Sequence, residues 1–410
     1  MSTWYALVDA NNFYCSCERI FNFAARRYPC VVASNNDGNV ISRSEEAKAL
    51  GIRMGAPLFQ VRKLVEEHRV QVFSSNYAFY GDMSARLMNA LGELCPQVEP
   101  YSVDEAFADL SIFPAAELVP FAQHVRQRVR RWTKLPTCVG IGPTKTLAKV
   151  ANKLAKRNPD LGGVVALTDE ATRRAALVDF DVEGVWGVGR QHAKRLLAKG
   201  VTTAGQLADK PDWWVRGVFG TVVAERMVRE LRGEACIPML EAGATSKNIC
   251  CSRSFGLHLH EAGQVKEALA TFAGRVAEKL REQRACAGVL TVFLHTNRFR
   301  EDLAQAHRAV SVPLPVATSD SAELIRYALA GLEALHQRGY LYKKAGVLAT
   351  GLIPADQVQA GLFDGADRAK AARVSKALDA LNGKYGRGTV RFAVQGGERA
   401  FWQPKRERLS

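Results

Sequence analysis

The sequence has no apolar run that approaches the roughly 20 residues needed to span a bilayer. The first residues also lack a basic stretch followed by an apolar signal core. The nine cysteines are odd in number and form no CxxC pair, which argues against a zinc ribbon or a secreted disulfide framework. Internal repeats and long low-complexity segments are absent as well. We therefore expect a cytoplasmic protein with reduced thiols and no membrane partner.

An excess of acidic residues is also missing, and the balance is strongly basic. Fifty-six Lys and Arg against 41 Asp and Glu give a net charge of +15 and a pI near 9.5. Such a charge favours a polyanionic partner, either nucleic acid or anionic lipid, and the alternative is a basic but inert surface. The 47% hydrophobic and 24% charged content is typical of a soluble globular chain, and the length suggests about three domains.

The order of predicted elements changes along the chain. A short apolar strand at residues 3 to 8 ends on Asp9, and strands then alternate with helices up to residue 156, as in an α/β layer. Between residues 182 and 232 the periodic runs are brief and predict only short helices. From 249 to 351 the pattern predicts a β-α-β-β-α-β unit. Residues 356 to 410 are polar and Gly-rich apart from one helical stretch, which indicates a partly ordered tail.

Three carboxylates are the main candidates for chemistry: Asp9, Asp104 and Glu105. Brought together, such groups can hold two Mg²⁺ ions that activate a 3′-hydroxyl and neutralise a triphosphate. Successive side chains of an ideal strand point to opposite faces, so a turn or bulge must bring Asp104 and Glu105 to one site. The alternative for each carboxylate is a solvated turn.

Two segments carry a family resemblance. The first runs from Asp9 to Glu18 and contains Phe13 and Tyr14, and the second is Tyr-Ser-Val-Asp-Glu-Ala at 101 to 106. They resemble motifs of the Y-family translesion DNA polymerases, and segments 35 to 38, 46 to 52 and 74 to 77 point further to the UmuC branch, the catalytic subunit of DNA polymerase V. The resemblance covers nearly the whole chain.

The resemblance implies an α+β multi-domain fold of the right-hand polymerase type. The palm would comprise residues 1–10 and 78–170, and the fingers residues 11–77. A helical thumb with a helix-hairpin-helix would occupy 171–240, and a β-α-β-β-α-β little-finger domain that binds DNA would occupy 245–355. The partly ordered tail, 356–410, would carry a clamp-binding motif.

The resemblance also implies the active site. Asp9, Asp104 and Glu105 would be the catalytic carboxylates and would bind two Mg²⁺ ions, with the carbonyl of Ala10 completing a metal site. Tyr14 would be the aromatic gate, next to Phe13, that collides with a ribose 2′-hydroxyl. The alternative for Tyr14 is ordinary core packing.

Cations would bind the incoming nucleotide. Arg43 and Lys48 lie five residues apart, where they could reach the β and γ phosphates, and the alternative is a solvated helix face. Lys156 matches a family Lys that reaches the triphosphate. Glu45 stands where many family members have a Tyr that contacts the triphosphate, so that contact is in doubt in this chain.

Several basic or Gly-rich segments would contact DNA. The helix at 144 to 156 has a lysine face, and a basic face of this kind is usually just solvated. Gly-x-Gly turns are also common, but here one precedes a helix whose amides could bind phosphates without reading bases. In the little finger, one basic sheet face could lie along the duplex, formed by cations on or beside predicted strands: Arg253, Arg298, Arg300, Lys343 and Lys344. The predicted DNA contacts are Lys145, Lys149, Gly187, Gly189, Arg253, Arg298 and Lys343.

Further partners follow from the same resemblance. Gln359, Leu362 and Phe363 resemble the Gln-x-x-Leu-Phe peptide by which bacterial polymerases bind the sliding clamp, and the alternative is a chance match of a short motif. Primer-template DNA and deoxynucleoside triphosphates would be the substrates. A processed UmuD-like dimer and the RecA filament would be partners in the SOS response.

Three functions remain open from the sequence. The first is an error-prone DNA polymerase that extends primers past template lesions. The second is a catalytically weak or inactive scaffold of a mutasome, although Asp9, Asp104 and Glu105 argue against it. The third is a nucleotide cyclase or another palm-bearing nucleotidyltransferase, which would not need a thumb, a little finger or a clamp peptide.

Overall fold

The computed structural model describes residues 3–240, 246–359, 361, 364–397, 402–403 and 408. The chain folds into two compact units. The first comprises Met1–Ser34, Gly38–Gly243 and Arg408–Ser410, and the second comprises Asn35–Asp37 and Ala244–Glu407. Among the described residues, no helix is long and apolar enough to cross a membrane.

The regular elements are as follows. The strands of the first unit are β1 (Tyr5–Ala10), β2 (Cys30–Ala33), β3 (Val40–Arg43), β4 (Gln71–Ser74), β5 (Gln97–Pro100), β6 (Glu105–Asp109), β7 (Thr137–Gly142) and β8 (Val164–Ala166). Its helices are α1 (Phe13–Phe21), α2 (Phe23–Arg27), α3 (Glu45–Ala49), α4 (Arg62–Glu67), α5 (Tyr77–Leu94), α6 (Ala115–Thr133), α7 (Lys145–Arg157), α8 (Glu170–Val178), α9 (Arg190–Leu197), α10 (Ala204–Ala208), α11 (Asp212–Phe219) and α12 (Val222–Leu231). The second unit contains β9 (Ile249–Leu259), α13 (Ala262–Glu282), β10 (Ala285–Thr296), β11 (His307–Thr318), α14 (Ser321–Leu335), β12 (Tyr342–Pro354) and α15 (Arg368–Tyr385).

The larger sheet of the first unit has the strand order β5-β6-β1-β7-β8. Strand β1 lies at its centre and pairs antiparallel with both β6 and β7. Ala6 and Val8 pack with residues of α5 and α6 on one face, while Leu7 packs with Ala148 of α7 on the other. Because both faces are covered, β1 is a continuous apolar run rather than an alternating one.

Helix α7 lies directly against this sheet. It begins where the Thr144 hydroxyl accepts a hydrogen bond from the Leu147 amide at 3.2 Å. The Asn152 amide group donates to the carbonyls of Leu7 (3.2 Å) and Cys138 (2.9 Å), and so fixes the helix to β1 and β7. A Cβ on Gly140 would lie 2.0 Å from the Asn152 backbone nitrogen, so this close approach requires glycine.

A smaller sheet with the strand order β3-β2-β4 follows in the first unit. Its core contains Val31, Val40, Ala47 and Ile52. Helix α3 begins at Ser44, whose hydroxyl accepts from the Ala47 amide at 3.3 Å. This small core holds the segment on which Arg43 and Lys48 were predicted to meet a nucleotide.

The helices α9 to α12 are short, as the brief periodic runs predicted. Their core includes Leu196, Leu207, Val215 and Val228. All the regular elements between residues 182 and 232 are helices, so the prediction of short helices in this segment is confirmed.

The second unit has a sheet with the strand order β11-β10-β12-β9, packed on α13 and α14. The predicted β-α-β-β-α-β order is confirmed, although each strand is longer than predicted. Helix α15 also packs on this unit: Asp379 accepts two hydrogen bonds from the Arg281 guanidinium, both at 2.7 Å. Farther along, Trp402 contacts Phe272 with ring centroids 5.3 Å apart.

Candidate active site

Two predicted metal ligands face each other on neighbouring strands of the larger sheet. Asp9, near the end of β1, is the direct partner of Glu105, the first residue of β6. The Ala10 amide donates to the Asp104 carbonyl at 2.8 Å, so Asp104 sits in the turn just before β6. The expected break between Asp104 and Glu105 is confirmed, because Asp104 is in the turn and Glu105 is in the strand.

Ser102 shapes this turn and was missed from the sequence. Its hydroxyl accepts from the amides of Asp104 (3.2 Å) and Glu105 (3.1 Å) and donates to Asp104 Oδ1 at 2.6 Å. A serine two residues before an aspartate is a common turn former, and this signal could have identified it. Ser102 therefore sets the orientation of the Asp104 carboxylate.

Two lysines of α7 pair with the other two carboxylates. Lys156 Nζ lies 2.5 Å from Asp9 Oδ2, and Lys149 Nζ lies 2.8 Å from Glu105 Oε2. The two lysines are seven residues apart, which places them on the same face of a helix. The structure therefore gives Lys149 a partner inside the active site, next to the carboxylates.

Burial and mutual contact separate the acidities of the two facing carboxylates. Burial is the main reason that the pKa of Asp9 rises to about 7, the contact with Glu105 adds to the rise, and Lys156 opposes it. Burial alone would raise the pKa of Glu105 too, but hydrogen bonds with Asp9 and Lys149 outweigh it and the pKa is lowered. Asp9 is therefore the member of the pair that retains a proton into the neutral range.

The ligand set is all oxygen, which suits Mg²⁺. In the part of the chain that the structure describes, no three His, Cys, Asp or Glu side chains converge as a ready metal site. The reason is visible in the contacts: the ammonium groups of Lys149 and Lys156 take carboxylate oxygens, and Asp104 is turned toward Ser102. The carboxylates fit a divalent ion if Lys156 leaves Asp9 and Asp104 turns away from Ser102.

Tyr14, on α1, lies in an aromatic cluster. Its ring stacks on Tyr80 with centroids 4.5 Å apart, and Phe13 and Tyr77 lie at 5.6 and 6.2 Å. The Tyr80 hydroxyl donates to Glu18 Oε1 at 2.6 Å, which fixes the stacking partner. Burial raises the pKa of the Tyr14 hydroxyl. The ring is thus held in one place, as both a gate and a packing role would require.

Arg43 and Lys48 already have partners. Arg43 Nη1 donates to the Ile52 carbonyl at 2.6 Å. Lys48 Nζ contacts Glu45 Oε1 at 2.7 Å, and Asn12 donates to the same oxygen at 2.8 Å. Glu45 therefore ties Lys48 to the segment that follows β1, a link that the sequence did not indicate.

The prediction that Lys145 lies on an exposed DNA-binding face is wrong. Only 1% of its side chain is exposed, and Nζ lies 2.5 Å from Glu99 Oε2 and 2.8 Å from the Pro238 carbonyl. Lys145 is the first residue of α7, where its side chain points to the end of β5 rather than to solvent. It is a buried ion-pair partner.

The predicted glycine hairpin is present before α9. Gly187 has φ 90° and is exposed, and a Cβ there would lie 3.1 Å from the Met227 sulfur. Gly189 is the N-cap of α9 and has nothing within 4 Å of its ideal Cβ position. The turn therefore leaves the first amides of α9 without a side-chain cap.

The predicted basic residues of the second unit do not share one face. Arg253 pairs with the buried Ala345, whereas Lys344 is on the opposite side of the pleat, so the prediction of a single basic sheet face that includes Arg253 is wrong. Lys343 lies at a register shift and donates to the Phe255 carbonyl at 2.6 Å.

The remaining predicted contacts lie in a loop and in the tail. Arg298 is exposed in the loop between β10 and β11, with its guanidinium 4.9 Å from the centre of the Phe299 ring. Gln359 is exposed just after β12. Leu362 and Phe363 lie outside the described residues.

Comparison with known proteins identifies the family of the chain. Residues 8–153 match the model of the impB/mucB/samB family, and 246–362 match its C-terminal domain. Residues 372–410 match a domain of unknown function. The chain is 44% identical to the protein ImpB of Salmonella typhimurium, over 99% of this chain and 96% of that protein. It is 41% identical to the protein UmuC of Salmonella typhimurium strain LT2 over the same shares.

A solved structure supports the fold. A Y-family DNA polymerase chimera of Dbh and Dpo4 superposes with a TM-score of 0.69, at 20% identity, covering 85% of this chain and 99% of the chimera. The predicted α+β polymerase fold is therefore confirmed. On the family models and on the full-length identity to UmuC and ImpB, the chain belongs to the impB/mucB/samB family, the UmuC branch of the Y-family DNA polymerases.

Proposed function

We propose that this DNA-directed DNA polymerase extends primers past damaged template bases by two-metal phosphoryl transfer, in the SOS response to DNA damage. The observation that carries the proposal is the pairing of Asp9 with Glu105 across β1 and β6, with Asp104 in the adjoining turn. Asp9 and Glu105 face each other at one end of the central sheet and Asp104 directly precedes Glu105, so small side-chain rotations would bring together the three carboxylates that this chemistry needs.

Asp9, Asp104 and Glu105 would hold two Mg²⁺ ions, with the Ala10 carbonyl as a further ligand. When bound, the ions would lower the pKa of the primer 3′-hydroxyl and neutralise charge on the triphosphate. Ser102 holds Asp104 in its turn. Lys156, with 35% of its side chain exposed, would move from Asp9 to the triphosphate as the metal sites fill.

The nucleotide would enter against Tyr14 and Phe13. Because Tyr80 and Tyr77 pack against the Tyr14 ring, this ring would not move aside and would clash with a ribose 2′-hydroxyl. Arg43 and Lys48 would bind the β and γ phosphates. Glu45 limits this role, since Lys48 must exchange its 2.7 Å contact with Glu45 for the phosphate.

The polymerase would bind DNA through backbone phosphates and would not recognise the base sequence. The uncapped amides before α9, at Gly187 and Gly189, would bind backbone phosphates. Arg298 and Lys343 would add phosphate contacts in the second unit, and such contacts would be salt-dependent.

Partner proteins would bring the polymerase to the primer end. The segment with Gln359, Leu362 and Phe363 would bind the sliding clamp, and a processed UmuD-like dimer and the RecA filament would act on the same polymerase. Deletion of residues 359 to 363 should weaken clamp binding, measured by surface plasmon resonance, while extension of a short primer without the clamp is retained. Unchanged clamp affinity would show that the motif is a chance match.

The deciding experiment is primer extension on an undamaged and an abasic template, with Mg²⁺ and deoxynucleotides, with and without a UmuD-like dimer and RecA. Asp104→Ala should lose at least about 10³-fold in incorporation, because one carboxylate of the metal site is gone. Asp82→Ala is the matched control, since Asp82 is an exposed carboxylate on α5 that pairs with Arg86 on the surface.

Two results would overturn the proposal. Incorporation by Asp104→Ala at the rate of the wild type would remove the carboxylate assignment. No extension by the wild type, despite normal DNA binding and all partners, would identify the chain as a DNA-binding scaffold of a mutasome instead.

A further inference from the structure

An aromatic cage surrounds Lys149. Its ammonium lies 4.2 Å from the centre of the Tyr101 ring, 5.5 Å from that of Trp186 and 5.7 Å from that of Phe107. On its remaining side it donates to Glu105 Oε2 at 2.8 Å. Only 13% of the Lys149 side chain is exposed. The faces of aromatic rings attract a cation, so the cage favours this one position of the ammonium.

The three rings also fix one another. Trp186 Nε1 donates to the Tyr101 hydroxyl at 3.0 Å, and the two rings meet edge to face at 88°. Phe107 is fully buried in β6 and contacts both, with centroids 5.6 Å from Tyr101 and 5.9 Å from Trp186. Edge-to-face pairs with a hydrogen bond between their polar atoms are rigid partners. The cage is therefore a built feature and not a chance approach of a flexible lysine.

The walls come from separate parts of the chain. Tyr101 precedes the turn that carries Asp104. Phe107 follows Glu105 by two residues, so Phe107 and Glu105 lie on the same side of β6. Trp186 comes from the hairpin between the short helix Val182–Gly184 and α9. The hairpin proposed to grip DNA phosphates thus contributes one wall around the cation that contacts Glu105.

The side chain of Lys156 is more exposed than that of Lys149. The Lys156 side chain is 35% exposed and contacts Asp9, so it is the freer of the two to leave when a nucleotide arrives. The Lys149 ammonium lies among three rings and a carboxylate, which together favour its position beside Glu105.

We propose that Lys149 is a positioning residue that fixes the Glu105 carboxylate, and that Trp186 makes this positioning depend on the DNA-gripping hairpin. The inference rests on the proposed function, because Glu105 is taken there as a metal ligand. Displacement of the hairpin opens the cage, releases Lys149 and lets Glu105 turn away from its productive orientation. A polymerase without duplex in its grip would then be slow even when metal is bound.

The proposal has a signature that loss of structure would not produce. An ammonium at hydrogen-bond distance from a metal ligand repels a divalent ion, so removal of its charge should tighten metal binding. The same removal frees Glu105 to rotate, which should slow the chemical step. Tighter metal binding together with slower catalysis separates positioning from damage to the fold, which would weaken both.

The test uses Lys149→Met, which keeps most of the side-chain volume and removes the charge, in the full chain. Binding of Mn²⁺ without DNA or nucleotide is measured from the electron paramagnetic resonance signal of the free ion, and kcat from single-nucleotide incorporation. We expect the Mn²⁺ Kd to fall at least about threefold and kcat to fall about tenfold or more. Lys63→Met is the matched control, because the Lys63 side chain is 87% exposed.

The link to the hairpin is tested with Trp186→Leu, controlled by Trp213→Leu, whose indole is 74% exposed. Trp186→Leu should shift Kd and kcat in the same directions as Lys149→Met, by smaller factors, and Trp186→Phe should recover part of each shift. In the Lys149→Met background, Trp186→Leu should add nothing.

Weaker Mn²⁺ binding together with a lower kcat in Lys149→Met would reduce Lys149 to a support of the fold and overturn the inference. Additive effects of the Lys149 and Trp186 changes would show that Trp186 acts by another route. A failure of the proposed function appears separately, as a wild type that binds DNA and Mn²⁺ but does not extend primers.

Discussion

A buried ion pair joins α7 to β5 and also contacts the backbone at Pro238 and Leu240. Lys145 Nζ lies 2.5 Å from Glu99 Oε2 and 2.8 Å from the Pro238 carbonyl, and the Leu240 amide donates to the same Glu99 oxygen at 2.7 Å. The two side chains are 1% and 8% exposed. We predict that Lys145→Met destabilises the first unit strongly, because it leaves the Glu99 charge buried without its cation.

The magnitude follows from the burial. Removal of one partner of a buried pair costs about 3–5 kcal/mol in the free energy of unfolding. For a domain of this size each kcal/mol lowers Tm by about 2–4 °C, so Tm should fall by roughly 10 °C. The double change Lys145→Met with Glu99→Leu should recover most of this loss, because two apolar side chains of similar volume replace the pair.

The assay is urea unfolding of the full chain, followed by tryptophan fluorescence, with Lys63→Met as the exposed control. DNA affinity is measured in parallel as a function of salt. Because Lys145 does not reach the surface, the slope of log affinity against log salt should match that of the wild type.

A small change in unfolding free energy, below about 1 kcal/mol, would show that the pair is not buried in solution. A salt slope reduced by about 0.9 would show one lost phosphate contact. Either result would refute the assignment of Lys145 to the interior, and the second would restore the DNA contact predicted from the sequence.

Three further changes test other parts of the molecule. Tyr14→Ala should admit ribonucleotides, raising their kcat/KM relative to deoxynucleotides by at least about tenfold, measured by single-nucleotide incorporation, and an unchanged sugar preference would leave Tyr14 as packing. Gly140→Ala should destabilise the first unit by about 3 kcal/mol or more, because its Cβ would lie 2.0 Å from the Asn152 nitrogen and push α7 off the sheet. Thermal unfolding measures this, and a wild-type Tm would contradict the close approach. Asp379→Ala should cost about 1–2 kcal/mol by removing a bidentate contact with Arg281, and α15 should become sensitive to limited proteolysis. Resistance equal to that of the wild type would show that other contacts hold α15.

Local patterns were sufficient for much of the fold. The apolar run before Asp9 predicted β1, and the break between Asp104 and Glu105 predicted a turn, because strand alternation forbids both side chains on one face. The β-α-β-β-α-β order also emerged from periodicity. These features depend on neighbours in sequence, or on a geometric rule that applies to any strand.

Contacts between distant segments were not predictable in this way. The lysines of α7 looked alike in the sequence, yet Lys145 contacts Glu99, 46 residues earlier, while Lys149 and Lys156 contact Glu105 and Asp9. From a helical wheel one predicts that every lysine faces solvent, because burial of a charge is unfavourable without an oppositely charged or hydrogen-bonding partner. Only the packing of α7 across the sheet reveals which lysines have such a partner.

The same reasoning explains the charge balance of the active site. Asp9 and Glu105 face each other on neighbouring strands and repel each other when both are charged, and the chain must remain folded before metal arrives. Lys149 and Lys156 supply two of the compensating charges, and the proton retained by Asp9, with its pKa raised to about 7, supplies part of the rest. A bound metal ion would therefore replace positive charge that is already present beside the carboxylates. Lys149 lies among Tyr101, Phe107 and Trp186 and is less exposed than Lys156, so we expect metal binding to release Lys156 and to leave Lys149 beside Glu105.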